Sequence, residues 1–306
     1  MPHFPLIHIA LALPNLGETF ALVTAVTWSL AVILFKKSGE TAHPIGLNLF
    51  KNFVAMVLIL PTMWLFGETL FRPAGTDEYL LLLVSGGLGI GVADTLFFMS
   101  LNRLGAGLSA IVDCLYSPFI IGLSMFFLGE SLNFWQAIGV VMIISAVLTA
   151  TSRQESSRLG RKNLWLGILF GALAMGINAV GIVIVKPLLD RSPLLWVTEY
   201  RLLGGMLVLA VVLLFHPRRR PIVGSLIHRS GWKYTISAAF VGTYLSLIFW
   251  LIGMKFTQAS IAASLNQTSN IFVFIFAAWF LREPINRTRV IGIILGVAGA
   301  LIVTFT

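Results

Sequence analysis

Charge is what this chain has least of. Only 11% of its 306 residues are Asp, Glu, Lys or Arg, against about 25% in a soluble domain. So few charges cannot coat a globule of this size, so lipid is expected to surround most of it. Cysteine is nearly absent too. Cys114 stands alone, which excludes an intramolecular disulfide and a cysteine-based metal site. The histidines His3, His8, His43, His216 and His228 lie outside the apolar runs without metal-ligand spacing. No cofactor is implied. There is no Gly-x-Ser-x-Gly elbow and no loop long enough for a soluble catalytic module, so an enzyme is not expected. The net charge of +9 sits in short loops and forms no basic face. It reads as a topology signal with some attraction to lipid headgroups, not as a nucleic-acid surface.

What is present is apolar sequence in long runs, 58% of the chain. About 20 apolar residues in a helix cross a bilayer core of about 30 Å. Ten segments meet that length: 18–35, 44–66, 79–101, 106–128, 132–151, 164–185, 193–215, 233–254, 258–281 and 287–305. Helices are expected because backbone groups in lipid must bond within their own segment. The fold class is therefore all-α integral membrane with ten transmembrane helices. Residues 1–17 read as a tail: they lack a basic n-region, and Pro2, Pro5 and Pro14 interrupt a short apolar stretch.

The two halves resemble each other. A shift of 153 residues lays "FFLGESLNFWQAIG" (126–139) on "WFLREPINRTRVIG" (279–292), with Glu130 on Glu283 and Gly139 on Gly292. The same shift puts Asp113 on Asn266 and Ser117 on Asn270; at slightly smaller shifts Pro44 meets Pro193 and Lys36 meets Lys186. The expected organisation is a first repeat at 18–151, a basic linker at 152–163 and a second repeat at 164–306. Five is an odd number, so the second repeat enters the membrane inverted. Inverted repeats are the architecture of alternating access, although duplication can also merely enlarge a bundle. Lys and Arg number fifteen in the loops after odd helices, counting Lys233, Arg287 and Arg289 at the edges of the spans that follow, and four (Arg72, Lys186, Arg191, Lys255) after even ones. The positive-inside rule then puts the odd loops, including the linker, in the cytoplasm and both termini outside.

These features together resemble the drug/metabolite transporter superfamily, of the ten-helix EamA-like type. The resemblance rests on the paired repeats, the "FFLGE" and "WFLRE" helix endings, the Gly-rich helices after them, Trp28, and Pro44 and Pro193 opening the second and seventh helices. Arg201 stands where that family often has a basic residue. In the first half Asn52 aligns with it, and Lys51 does so only if the register slips by one. The resemblance implies a secondary transporter, often an exporter, of amino acids, related metabolites or drugs. It also implies cytoplasmic termini, against the charge count.

Charged side chains inside lipid-spanning segments are costly and mark functional sites or partners. Five are expected there: Lys51, Asp94, Asp113, Glu199 and Arg201. Arg201 lies eight residues past Pro193, about 12 Å into the membrane at 1.5 Å per residue. Its guanidinium suits a substrate carboxylate, or else an ion pair with Asp94, Asp113 or Glu199. Ser109, Asp113, Tyr116 and Ser117 share a helix face, and Asn266 and Asn270 occupy the matching helix of the second half, with Gln267 nearby. These stripes read as the walls of a substrate cavity, or as hydrogen bonds between helices. Trp28, Asn178, Tyr244 and Trp250 are candidate ring or amide contacts. Asp94, Asp113 and Glu199 are candidates for proton coupling. Glu130 and Glu283 read as structural groups at hairpin turns, and Pro118 as a kink beside the polar stripe. The expected function is secondary active export of a small polar metabolite or drug. The alternatives are a non-transporting receptor or scaffold, and a flippase of a lipid-linked precursor.

Overall fold

The computed structural model describes residues 15–128, 133–150, 153–227, 231–256 and 265–305. Glu130, His3, His8, His228, most of the N-terminal tail and the start of the 258–281 segment lie outside the described residues. Among the described residues the chain is helical and has no strand. Seven helices are long and apolar enough to cross a membrane, and Phe134–Thr149 is a shorter apolar one.

The first half runs through α1 (Leu16–Ser38), α2 (Pro44–Leu65), α3 (Thr76–Leu104), α4 (Ala106–Asp113), α5 (Tyr116–Leu128) and α6 (Phe134–Ala150). The second runs through α8 (Arg161–Arg191), α9 (Leu194–Phe215), α11 (Trp232–Phe256), α12 (Ser269–Phe280) and α13 (Arg287–Phe305). Two further helices lie in stretches expected to be loops: α7 (Arg153–Leu159) in the linker and α10 (Arg219–Ile227) in the 216–232 loop. Their composition is polar, so hydrophobic periodicity does not reveal them.

Proline places several boundaries. Pro44 occupies the first turn of α2, where its missing N–H costs nothing. His43 caps that turn, its Nδ1 accepting the Ile45 N–H at 3.3 Å. The segment expected to run unbroken over 106–128 is interrupted at Cys114–Leu115. Pro118 is the reason: it has no N–H to give the Cys114 carbonyl four residues earlier. That carbonyl is taken instead by the Ser117 N–H in a tighter turn. α12 is preceded by a similar turn at Thr268, 153 residues on, although no proline stands there.

Two helices widen into π-helical turns: α3 at Gly87–Ala93 and α11 at Ala239–Leu245, 152 residues apart. Such turns are rare and concentrate at functional sites.

The packing inverts that of a soluble protein. Large apolar side chains such as Phe53, Trp64, Val141 and Ile294 are exposed on the outer faces, while Asn48, Asn52 and Ser29 are fully buried. That is the pattern of a bundle whose solvent is lipid. Across the halves α3 packs on α8 and α9, α1 on α11 and α12, α2 on α9 and α11, α4 on α12, α5 on α8, and α6 on α13. The α3–α9 crossing is a close one: a Cβ on Gly86 would stand 1.9 Å from the Arg201 carbonyl oxygen, and one on Gly204 2.2 Å from that of Leu83. Only glycine fits such backbone contact.

Candidate functional site

The widened turns and the broken helices meet at one place. A cavity of about 210 Å³ lies between the halves, and its wall includes Asp113, Arg201, Lys51, Asp94, Asn178 and Asn266. Trp28, Tyr116 and Asn270 line it as well. The π turns supply Gly89, Ile90 and Ala93 on one side and Gly242 and Thr243 on the other; Asp94 and Ser246 follow immediately after.

Lys51 and Asp94 form an ion pair, Nζ to Oδ2 at 2.7 Å, with the lysine 5% and the aspartate 26% exposed. Lys51 Nζ also donates to Asn52 Oδ1 at 2.8 Å. Asn52 donates to Asn48, which in turn donates to the Ile90 and Gly91 carbonyls and to Thr95. This ladder satisfies the polar groups between α2 and α3, and both Lys51 and Asn52 face the cavity.

Arg201 and Asp113 differ from that pair. Arg201 is 4% exposed, and its Nε has no hydrogen-bond partner among the described residues. Neither residue takes part in an ion pair there. Arg201 Nη2 and Asn178 Oδ1 both lie against the α3 π turn, each 3.4 Å from where a Gly89 Cβ would stand. Asn266 Oδ1 also lacks a partner among the described residues, while Asn270 donates to Gln267 at 2.8 Å. The chamber thus holds one self-neutralising pair, one guanidinium without an ion partner and one carboxyl group without one among the described residues. Unpaired buried charge is expensive and is expected where a charged solute completes the set.

Several candidates fall elsewhere. Glu199 is buried but does not line the cavity, because it is two residues from Arg201 and so points to another side of α9. Its Oε2 has no partner among the described residues. Ser117 accepts from Gln267 Nε2 at 3.2 Å, which makes it a link between helices. Ser109 is buried away from the cavity, and the Tyr244 hydroxyl pairs with Thr62 at 2.7 Å. Sequence reasoning passed over Thr243, Ser246 and the π turns. The run Gly86, Gly87, Gly89 and Gly91 inside one span was the available sign of irregular backbone there.

The EamA-like transporter family model matches the chain twice, over residues 15–152 and 165–305. An uncharacterized transporter of Archaeoglobus fulgidus is 23% identical over 273 residues, covering 89% of this chain and 92% of its own. A Streptantibioticus cattleyicolor protein named "Probable terminal-alkyne amino-acid exporter" is 24% identical over 291 residues, covering 92% and 91%. A solved crystal structure superposes with a TM-score of 0.65 at 18% identity, covering 94% of this chain and 95% of that one.

Apolar spans, a lipid-type surface and a polar chamber between two halves define a multi-pass integral membrane protein of the transporter class. Two matches spanning nearly all of the sequence make the assignment specific. The chain belongs to the EamA-like transporter family.

Proposed function

We propose that the protein is a secondary active transporter that exports a small polar metabolite of amino-acid type. In this reading ten spans form two inverted five-helix repeats, and the central cavity faces each side of the membrane in turn. The carrying observation is that five pairs of positions related by the internal repeat lie on the cavity wall. Trp28 and Asn178, Asn52 and Arg201, Asp94 and Ser246, Asp113 and Asn266, and Tyr116 and Ser269 all line it. The contacts between halves support the same symmetry. Exchanging each helix for its repeat partner turns α3–α8 into α11–α1, α3–α9 into α11–α2, and α5–α8 into α12–α1, and each of these contacts is present. Broken helices at a midplane site between repeats are the recurring architecture of such transporters.

Arg201 and Asp113 then take the two ends of a zwitterion. The guanidinium forks a carboxylate, and the aspartate accepts from an ammonium. Asp113, uncommitted and at the cavity wall, is also the proton-coupling candidate; Asp94 is already paired and Glu199 lies off the chamber. The test is flux of an amino-acid panel in inverted and right-side-out vesicles. Saturable flux is expected for the native protein. Arg201→Ala and Asp113→Asn are each expected to lower it about 10- to 100-fold, the value of a charge-assisted contact. Equal flux in all three proteins would contradict the residue assignment. Flux unchanged by collapsing the proton gradient would contradict proton coupling.

A further inference from the structure

The end of the bundle that carries the linker is tied together by a chain of buried charges. Glu155 of α7 receives Arg289 of α13 through both oxygens, Nε to Oε1 at 2.7 Å and Nη2 to Oε2 at 3.0 Å. Both side chains are 1% exposed. Asn286 adds a bond to Glu155 Oε1 at 2.9 Å. Arg289 Nη1 continues to Glu283 Oε2 at 3.2 Å. Glu283 in turn accepts the Ala106 and Gly107 N–H groups at 2.7 and 3.1 Å, which are free donors at the start of α4. Gly105, at φ +84°, makes the room: a Cβ there would stand 2.6 Å from Glu283 Oε1.

The same hairpin is held from its other arm. Lys36 Nζ donates to the Leu101 and Asn102 carbonyls at the end of α3, each at 3.1 Å. Cation at a helix C-terminus and carboxylate at the next N-terminus both suit the helix dipoles. From these anchors α4 leads straight to the cavity. Ala106 to Val112 are all buried, and Asp113, the next residue, is on the cavity wall. The helix is eight residues, about 12 Å long. So α4 is a dry plug with the charge chain at one end and the solute site at the other.

Magnitudes separate the two ends of the bundle. At the opposite end Glu68 accepts the Trp196 N–H at the start of α9 at 3.0 Å, but the ion pair there, Arg191 with Glu78, has side chains 67% and 23% exposed. An exposed pair contributes little. Breaking a buried, two-pronged Arg–carboxylate pair leaves uncompensated charge and costs several-fold more. The repeat is also unequal here: Gln136 stands where the second half has Arg289, so the first half lacks the cation.

We propose that the Glu155–Arg289–Glu283 chain is a latch that holds the cavity shut on the linker side, and that it must release α4 for the solute to pass there. This rests on the alternating-access reading above. It makes the linker helix a working part of the gate and sets the resting conformation as closed on that side.

A single reporter cysteine tests both levels. Met175→Cys places a thiol on the cavity wall in a Cys114→Ser background, and Ser157→Cys on α7 marks the linker side in a parallel sample. An impermeant maleimide is applied to vesicles of each orientation. With the native latch, the cavity thiol is expected to react faster from the side away from the linker. Glu155→Gln and Arg289→Gln are each expected to raise the linker-side rate about tenfold or more, leaving the opposite side equal or slower. If Arg289→Gln does not give a monodisperse protein, the near-isosteric Glu155→Gln and Glu283→Gln carry the test. Far-side labelling with an unchanged linker-side rate in all variants overturns the latch and leaves the transporter standing. A thiol that reacts from neither side overturns both.

Discussion

At the level of single residues, the informative contrast is between the two cations at the cavity wall. Lys51 is committed to Asp94 and Asn52, whereas Arg201 has no ion partner among the described residues. Lys51→Ala is therefore expected to destabilise the protein by leaving Asp94 unpaired, whereas Arg201→Ala spares the fold and removes solute binding. Arg201→Lys keeps the charge but not the fork, and is expected to recover only part of the affinity. Thermal midpoints measured beside solute affinity separate the two; equal loss of affinity with no change in midpoint for both would contradict the contrast. Five charged residues were legible as intramembrane from the sequence. Which of them pair was not, because pairing depends on the rotation of α2 against α3. Glu199 shows the limit: its type and depth matched Arg201, and two residues of helix turned it off the cavity.

Helices and their ends carry the next set of consequences. The α3–α9 contact at Gly86 has no space for a methyl group, so Gly86→Ala should force the pair apart. A cost of about 1–3 kcal/mol is expected from overpacking, read as a lower midpoint in detergent, and an unchanged midpoint would contradict the geometry. The cap of α2 gives a pH test. His43 uses Nδ1 as an acceptor, and burial, with His216 and Arg218 nearby, holds its pKa below the usual value. A depressed histidine favours the neutral form in the fold, so its contribution is full above the ordinary range near 6.5 and declines as pH falls. Hydrogen exchange at the first turn of α2 should speed up from pH 7 to 5, after correction for intrinsic rate, and His43→Asn should remove the effect. The linker behaves oppositely. Burial pushes Glu155 up, but hydrogen bonds from Arg289 and Asn286 and the charges of Arg289 and Arg158 outweigh it and bring its pKa down to about 2. A carboxylate depressed in this way loses its contribution only as pH falls from the usual range near 4.5 towards 2. Docking of α7 should therefore be flat between pH 5 and 8. Apolar run length located the long helices, and proline the starts of α2 and α9. The π turns and the linker helix escaped because they are set by tertiary partners, not by periodicity.

For the whole molecule, duplication is the organising fact. It was legible in paired motifs such as Glu130 with Glu283, and the odd number of spans expected in each half, five, is what implied inversion. The cavity it encloses was legible only as stripes, since the sequence does not say that Trp28 and Asn178, from opposite halves, share a wall. The central claim is that the halves enter the bilayer with opposite polarity. Glu40 and Asp190 are exposed positions at the repeat-equivalent ends of α1 and α8. The direct measurement is impermeant-thiol labelling of Glu40→Cys and Asp190→Cys, one at a time, in sealed vesicles of known orientation. The account predicts reaction from opposite faces. Reaction of both from the same face would contradict it.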